Sequence, residues 1–119
     1  MDSKIFDSEL RILEILWTRG DLPAKDIAAD AAEQVGWSKT TTYTVVKKCV
    51  AKGLVERIDP GFLCRPLVSR EDVRRQETRD LIDRMYGGRA DRLVASLLEG
   101  RNLDSGEIAR LRKMVEEWE

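Results

Sequence analysis

The 119-residue sequence has no histidine, only two cysteines and three prolines, and no long hydrophobic run. Without histidine it lacks the commonest general base and a frequent zinc ligand, and Cys49 and Cys64 alone are too few for a disulfide framework or a tetrahedral thiolate site. There is also no glycine-rich phosphate loop and no recognisable setting for a nucleophile. We therefore expect a protein that is not an enzyme and that holds no metal and no cofactor.

The apolar segments are short and contain charged residues, so none reaches the roughly 20 residues that span a bilayer. Residues 1–7 lack a basic start followed by an apolar core and a small-residue cleavage site. The sequence predicts a cytoplasmic protein with no direct membrane insertion.

Charge is unevenly distributed along the chain, although its 21 basic and 22 acidic residues nearly cancel. Residues 1–35 carry four basic and eight acidic side chains, whereas residues 36–68 carry six basic and two acidic ones. Residues 69–119 carry both signs in mixed order. A local basic segment is typical of nucleic-acid-binding proteins, because phosphate attraction acts at the contact face and not through the overall charge.

Apolar spacing and glycine positions predict three short helices in the first half of the chain, over residues 7–19, 23–35 and 39 to about 52. Glu9 is expected on the outward face of the first helix. Pro23 suits the first turn of the second helix, where its missing N–H costs nothing, and Ser38 suits the N-cap of the third. The stripe expected to be buried on the second helix comprises Ile27, Ala28, Ala31 and Val35.

A β-hairpin is predicted after the third helix. Residues 54–58 and 63–68 have the composition of strands, and Asp59-Pro60-Gly61-Phe62 between them favours a tight turn. Pro66 belongs at a strand end or a sheet edge, because it cannot donate to a ladder. Three helices followed by a hairpin is the order of a winged helix-turn-helix domain, in which the third helix is the recognition helix and the hairpin is the wing.

The third helix has two contrasting faces. Val45, Val46, Cys49 and Val50 point to the core, and the opposite face carries hydroxyls and lysines without an acid. Threonines reach base edges and methyl groups, lysines reach phosphates or guanine acceptors, and the helix N-terminus favours a phosphate. The alternative is a face that merely contacts water. The candidate DNA-binding residues are Ser38, Lys39, Thr40, Thr41, Thr44, Lys47 and Lys48, with Arg57 and Arg65 on the wing.

Residues 69–119 are predicted to form a helical dimerisation domain after a winged-helix domain at residues 1–68. The helices are expected over residues 70–86, 89–99 and from Asp104 onward. About 50 residues bury little surface alone, so we expect this part to pack against its copy in a homodimer. The fold class is thus mainly α with a small β-hairpin wing. The expected dimerisation residues are Leu93, Val94, Leu97, Leu98, Ile108, Leu111, Val115 and Trp118.

Three segments of the chain together form a recognisable pattern. They are Ile5 to Trp17, then Trp37-Ser38 with Thr41, Thr44, Lys48 and Lys52 to Val55, and finally Pro66 to Glu71. In this order they resemble the penicillinase-repressor family, a group of winged-helix repressors, and the resemblance covers nearly the whole chain. Two residues depart from the family pattern: Lys39, where many members have proline, and Cys64, where an aromatic residue is expected.

The resemblance implies a homodimer that represses transcription by binding a palindromic operator in double-stranded DNA. It implies that Thr41 and Thr44 lie close to the bases. In members that respond to β-lactams, a membrane sensor-protease triggers cleavage in the C-terminal domain, and the matching bond here joins Ser96 and Leu97. Such a cut would split the dimerisation domain and weaken bivalent binding.

Two other functions remain open at this stage. One is a winged-helix regulator that responds to a small molecule bound at the dimer interface. The other is a winged-helix module that binds protein and no DNA.

Overall fold

The structure is a computed structural model that describes residues 4–118. Its contacts divide the chain into two compact units, one ending at Gln76 and the other beginning at Glu77. A functional boundary after residue 68 stays a prediction. The elements are α1 (Asp7–Arg19), β1 (Leu22–Pro23), α2 (Ala24–Val35), α3 (Lys39–Ala51), β2 (Val55–Ile58), β3 (Leu63–Pro66), α4 (Arg70–Tyr86), α5 (Ala90–Glu99) and α6 (Ser105–Glu117).

The three predicted helices of the first half are confirmed, with differences at α2. Pro23 is not in the first turn but precedes the helix as its N-cap, because it is drawn into β1. Ile27, Ala28 and Ala31 are buried, as predicted. Val35 is exposed instead, because it is the last residue of the helix before the left-handed C-cap Gly36.

The hairpin is confirmed but belongs to a three-stranded antiparallel sheet of order β1-β3-β2. In β3, Leu63 and Cys64 pair with both neighbouring strands. Pro66 is the last residue of β3 and pairs with Val55 alone, so its missing N–H lies outside the part of β3 that β1 covers. The two-residue strand β1 was not predicted.

The prediction that Glu9 faces outward is wrong. Its side chain is fully buried, and Oε1 accepts hydrogen bonds from the backbone N–H of Phe6 (2.8 Å) and from Nζ of Lys52 (2.7 Å). The Lys52 ammonium also donates to the carbonyl of Lys4 (2.8 Å) and lies 4.3 Å from the centroid of the Phe6 ring. A charged partner from the end of α3 thus allows a carboxylate to be buried at the start of α1.

The core of the first unit includes residues from beyond the wing. Val73 of α4 is 3% exposed and belongs to the same cluster as the buried residues of α1, α2 and α3. The indole Nε1 of Trp17 donates to the carbonyl of Val68 (2.9 Å), and Arg70 pairs with Glu14 (2.8 Å). The start of α4 is therefore fixed to α1.

The second unit buries few apolar side chains, and Ile82 of α4 is its only buried residue in the described part of the chain. No residue of α5 or α6 is buried, although Asp104 closes a capping box with Glu107 at the start of α6. Leu98 is 48% exposed and Val115 is 70% exposed. In the described part of the chain, no helix is long and apolar enough to cross a membrane.

Candidate nucleic-acid interface

The start of α3 is stabilised by its own hydroxyl side chains. Ser38 is the N-cap, as predicted, and its Oγ accepts a hydrogen bond from the backbone N–H of Thr41 (3.1 Å) and donates to Thr41 Oγ1 (3.0 Å). One turn on, Thr44 Oγ1 donates to the carbonyl of Thr40 (2.9 Å). These bonds orient the threonine side chains on the helix before any partner arrives.

The structure places every predicted contact residue of α3 at the surface. Five of them share one side of the helix, because they recur at intervals of three and four residues: Thr40, Thr41, Thr44, Lys47 and Lys48. The other two, Ser38 and Lys39, lie at the helix N-terminus. The opposite side is packed into the core. All seven side chains are exposed, whereas Val45, Val46 and Cys49 are buried and Val50 is half-buried.

Thr42 is a polar residue of α3 whose burial the sequence did not reveal. Its side chain is completely buried, and Oγ1 has no hydrogen-bond partner among the described residues. It lies on the core side of α3 with Val45 and Val46. Only the exposed threonines are therefore available to a ligand.

Two aromatic side chains join α3 to the wing. The rings of Tyr43 and Phe62 meet edge to face, with centroids 5.9 Å apart and an interplanar angle of 90°. Lys39 Nζ lies 5.6 Å from the Tyr43 centroid, and the Arg57 guanidinium carbon lies 3.7 Å from the Phe62 centroid. Such contacts fix relative positions through ring geometry and cation–π attraction. Neither aromatic was predicted from the sequence, although Tyr43 directly precedes Thr44 and Phe62 lies between Arg57 and Arg65.

The cations of α3 and of the wing differ in their pairing. Lys39, Lys47 and Lys48 form no ion pair within residues 4–118. Both wing arginines are exposed but paired: Arg57 Nε contacts Asp59 (3.1 Å) and Arg65 Nε contacts Asp21 (2.9 Å). The hydrogen bond that Arg65 donates to the Asp21 carboxylate, followed by the negative charge of that carboxylate, raises the pKa of Arg65.

The two cysteines lie in the core of the first unit. Both are buried free thiols, and burial is the main cause that raises the pKa of Cys49 to about 12 and that of Cys64 to about 11. Across the described ranges, no group of three or more histidine, cysteine, aspartate or glutamate residues is placed to hold a metal ion.

An apolar groove of about 460 Å³ lies between α5 and α6 in the second unit. Five predicted dimerisation residues line the groove, with Arg112 and Glu116 beside them: Val94, Leu98, Ile108, Leu111 and Val115. Of the three remaining predicted residues, Leu93 and Leu97 are half-buried and Trp118 is 84% exposed.

The bond between Ser96 and Leu97 lies inside α5. Ser96 is exposed, and its carbonyl accepts a hydrogen bond from the backbone N–H of Gly100 (3.0 Å). The Leu97 carbonyl accepts one from Asn102 (3.0 Å). The bond is thus held in helical backbone on both sides.

A sequence model of the penicillinase repressor family matches residues 5–117. The chain belongs to this family. Its relatives include the penicillinase repressor of Bacillus licheniformis, with 23% identity over 96% of this chain and 91% of the relative. The methicillin resistance regulatory protein MecI of Staphylococcus aureus strain N315 is 26% identical over 97% of this chain and 98% of the relative. The resemblance inferred from the sequence is confirmed.

The fold of the chain is similar to that of a solved structure. The solution structure of the DNA binding domain of the repressor BlaI matches with a TM-score of 0.54 and 21% identity. The match covers 58% of this chain and 87% of that domain. The predicted winged-helix class, mainly helical with a small sheet, is therefore confirmed.

Proposed function

We propose that the chain is a homodimeric transcriptional repressor that binds a palindromic operator in double-stranded DNA through α3 of each copy. The observation that carries this proposal is the exposed side of α3, which presents threonines and unpaired lysines and no acid. Family membership supports it, since the relatives carry the names of repressors and regulatory proteins. These relatives are bacterial, so the repressor would act in the cytoplasm, where bacterial DNA lies.

The residues of α3 have separate roles in this proposal. Thr41 and Thr44 lie next to base edges in the major groove, where a hydroxyl bonds to a base and a methyl group packs on thymine. Lys47 and Lys48 contact phosphates, which position the protein without reading sequence. The helix N-terminus, with Ser38, Lys39 and Thr40, lies against a phosphate because the free amides and the helix dipole favour an anion.

The second unit provides the dimer contact. No residue of α5 or α6 is buried, so this unit gains little stability from a core of its own. Its exposed apolar side chains and its groove are therefore suited to being covered by a second copy of the chain. The two winged-helix domains of the dimer then bind two half-sites about one helical turn of DNA apart. Bivalent binding makes operator affinity depend on the dimer.

Inactivation through proteolysis is a further part of this proposal. A membrane sensor-protease is the partner that the family resemblance implies, and the candidate bond joins Ser96 to Leu97. That bond is helical, so cleavage requires local unwinding of α5. A cut there separates Val94 from Leu98, and both of these residues of α5 line the groove.

Selection of bound sequences from a random duplex pool, at near-physiological and at higher salt, tests the proposal. We expect an enriched inverted repeat and an affinity that falls steeply with salt. Thr41→Ala should weaken operator binding about tenfold and relax sequence preference, and Lys48→Ala should weaken binding to all sequences and reduce the salt dependence. Thr78→Ala and Lys25→Ala, at exposed positions of α4 and α2, are the matched controls.

Unchanged affinity in both α3 variants would overturn the assignment of α3 as the reading helix. Absence of salt-sensitive DNA binding in the wild type would overturn the repressor proposal and leave a winged-helix module that binds protein.

A second candidate function is regulation by a small molecule instead of proteolysis. The volume of the groove, about 460 Å³, lies within the range of ligand sites, and its lining is largely apolar. A candidate effector that raises the melting temperature and also weakens DNA binding would support this function. Leu111→Ala in the groove should reduce the thermal shift, and Ala109→Ser, at an exposed position of α6, should not.

A further inference from the structure

The wing, together with β1, carries no excess of positive charge, although it contains two arginines. Folding brings Asp21 from the loop before β1 to Arg65, a residue 44 positions later in the chain. Glu56 lies opposite Arg65 in the β2–β3 register, and Asp59 pairs with Arg57. The segments 21–23 and 54–66 therefore carry three acidic and two basic side chains, whereas α3 carries three lysines and no acid.

Both arginines are nevertheless arranged as anion-binding groups. The Arg57 guanidinium lies over the Phe62 ring, and Phe62 rests against Tyr43 of α3. The hydrogen bond from each arginine to its aspartate is donated by Nε, and in the described part of the chain no hydrogen bond engages the terminal nitrogens of Arg57 or Arg65. Those terminal N–H groups are the donors that a phosphate takes in a bidentate contact.

A phosphate bound to these donors lies within a few ångströms of a carboxylate. Like charges at that separation repel, and exposed groups at a protein surface are only partly screened by solvent. The aspartate does not have to leave for the phosphate to bind, but its charge offsets the charge that attracts the phosphate.

We propose that Asp21 and Asp59 are attenuators of DNA binding, which hold the wing arginines in place and reduce their attraction for the DNA backbone. This inference rests on the proposed function of α3 and the wing. It assigns the two carboxylates an inhibitory role in the recognition of the same ligand. Removal of either charge strengthens binding, because the arginine keeps its position and loses its counter-charge.

Aspartate-to-asparagine variants separate charge from position, because the amide oxygen still accepts a hydrogen bond from Nε. The variants are Asp21→Asn, Asp59→Asn and the double substitution. Asp91→Asn is the control, since Asp91 forms an exposed ion pair with Arg89 in the second unit, there through both Nε (3.2 Å) and a terminal nitrogen (2.8 Å). Fluorescence anisotropy measures the affinity of full-length protein for the selected operator and for a random-sequence duplex of equal length, at two salt concentrations.

We expect each single variant to bind both duplexes about threefold more tightly at low salt, which is the scale of an exposed ion pair. The double variant should gain more, and the gain should shrink at high salt. Asp91→Asn should bind as the wild type does. Melting temperatures measured in parallel establish that all variants are folded.

Equal or weaker binding by folded Asp21→Asn and Asp59→Asn overturns the inference. Weaker binding would mean that the carboxylates serve DNA binding by orienting the arginines. Thr41→Ala in the same assay distinguishes this failure from a failure of the proposed function: if it loses affinity, α3 still reads DNA. If it binds as the wild type does, the α3 assignment fails as well.

Discussion

Among single residues, Glu9 and Lys52 form a contact that joins the first turn of α1 to the C-cap of α3. The Glu9 side chain is 1% exposed and that of Lys52 is 22% exposed, so the pair is largely removed from water. Removing one partner of a buried pair costs more than the pair contributes, because the remaining charge loses its compensation. The surrounding contacts, from the Phe6 ring and the Lys4 carbonyl, act on the lysine alone.

Lys52→Met should lower the free energy of unfolding by about 2–4 kcal/mol, because it leaves the Glu9 carboxylate buried without a counter-charge. Urea denaturation followed by circular dichroism measures the change. Lys25→Met, at an exposed position of α2, is the control and should change stability by less than about 0.5 kcal/mol. Equal stability of the two variants would mean that Glu9 is solvated in solution.

Alkaline pH should destabilise the first unit through its two thiols. The pKa of each is raised in the folded state, to about 12 for Cys49 and about 11 for Cys64, from an ordinary value near 9. The unfolded chain therefore loses these protons first, and stability that is present below pH 9 is lost as the pH rises toward 11.

Comparison of urea denaturation at pH 8 and at about pH 10.5 measures this effect. The wild type should lose roughly 2–4 kcal/mol more than the Cys49→Ala, Cys64→Ala variant, in which tyrosines and lysines still titrate. An equal loss in both proteins would mean that the thiols do not contribute.

Sequence reasoning identified the exposed residues of α3 more successfully than the buried polar ones. Helical periodicity assigns a residue to one face of a helix, and this was sufficient to predict that Thr41 and Thr44 are exposed. It assigned Glu9 to the wrong environment because the compensating cation is 43 positions away. Thr42 was assigned to neither face of α3, although its spacing of three and four residues from Val45 and Val46 puts it on the core side.

At the scale of elements, the contact between Tyr43 and Phe62 holds the wing against α3. Phe62→Ala removes the edge-to-face contact and the surface on which Arg57 lies. We expect a loss of roughly 1–2 kcal/mol in unfolding free energy and a severalfold loss of DNA affinity, with a weaker dependence on salt as the Arg57 contact is lost. Tyr43→Phe keeps both rings and is the control. Undiminished affinity in Phe62→Ala would show that the wing does not contact DNA.

The helices and the hairpin were predictable because each is defined by local signals. Ser38 and the glycines mark helix ends, and the turn sequence at residues 59–62 marks the hairpin. The strand β1 has no local signal: two residues lack a period, and Leu22 becomes a strand residue only because Cys64 is brought opposite to it. The same long-range closure delivers Asp21 to Arg65.

At the scale of the whole molecule, the division between the units gives a test of dimerisation. A fragment ending at Gln76 retains Val73 and the Arg70–Glu14 pair, so it should fold as a monomer. One ending at Val68 lacks both and should be less stable by about 2 kcal/mol, chiefly from the loss of the buried valine. Urea denaturation measures this difference.

Analytical ultracentrifugation and operator binding complete the test. The fragment ending at Gln76 should bind the operator at least a hundredfold more weakly than the full chain, because it has lost bivalency. A stable dimer of this fragment would place the interface in the first unit. Full operator affinity from a monomeric fragment would contradict the requirement for two linked copies.

The pairing of Glu9 with Lys52 has an evolutionary consequence. A lineage that changes one of these positions alone passes through a protein with an uncompensated buried charge, which folds less well than its ancestor or its descendant. The two positions are thus expected to drift together, as a charged pair in some lineages and an uncharged pair in others. The exposed threonines of α3 carry no such mutual constraint, so the surface proposed to contact DNA is free to diversify. The Glu9–Lys52 pair that supports it is expected to change only when both positions change.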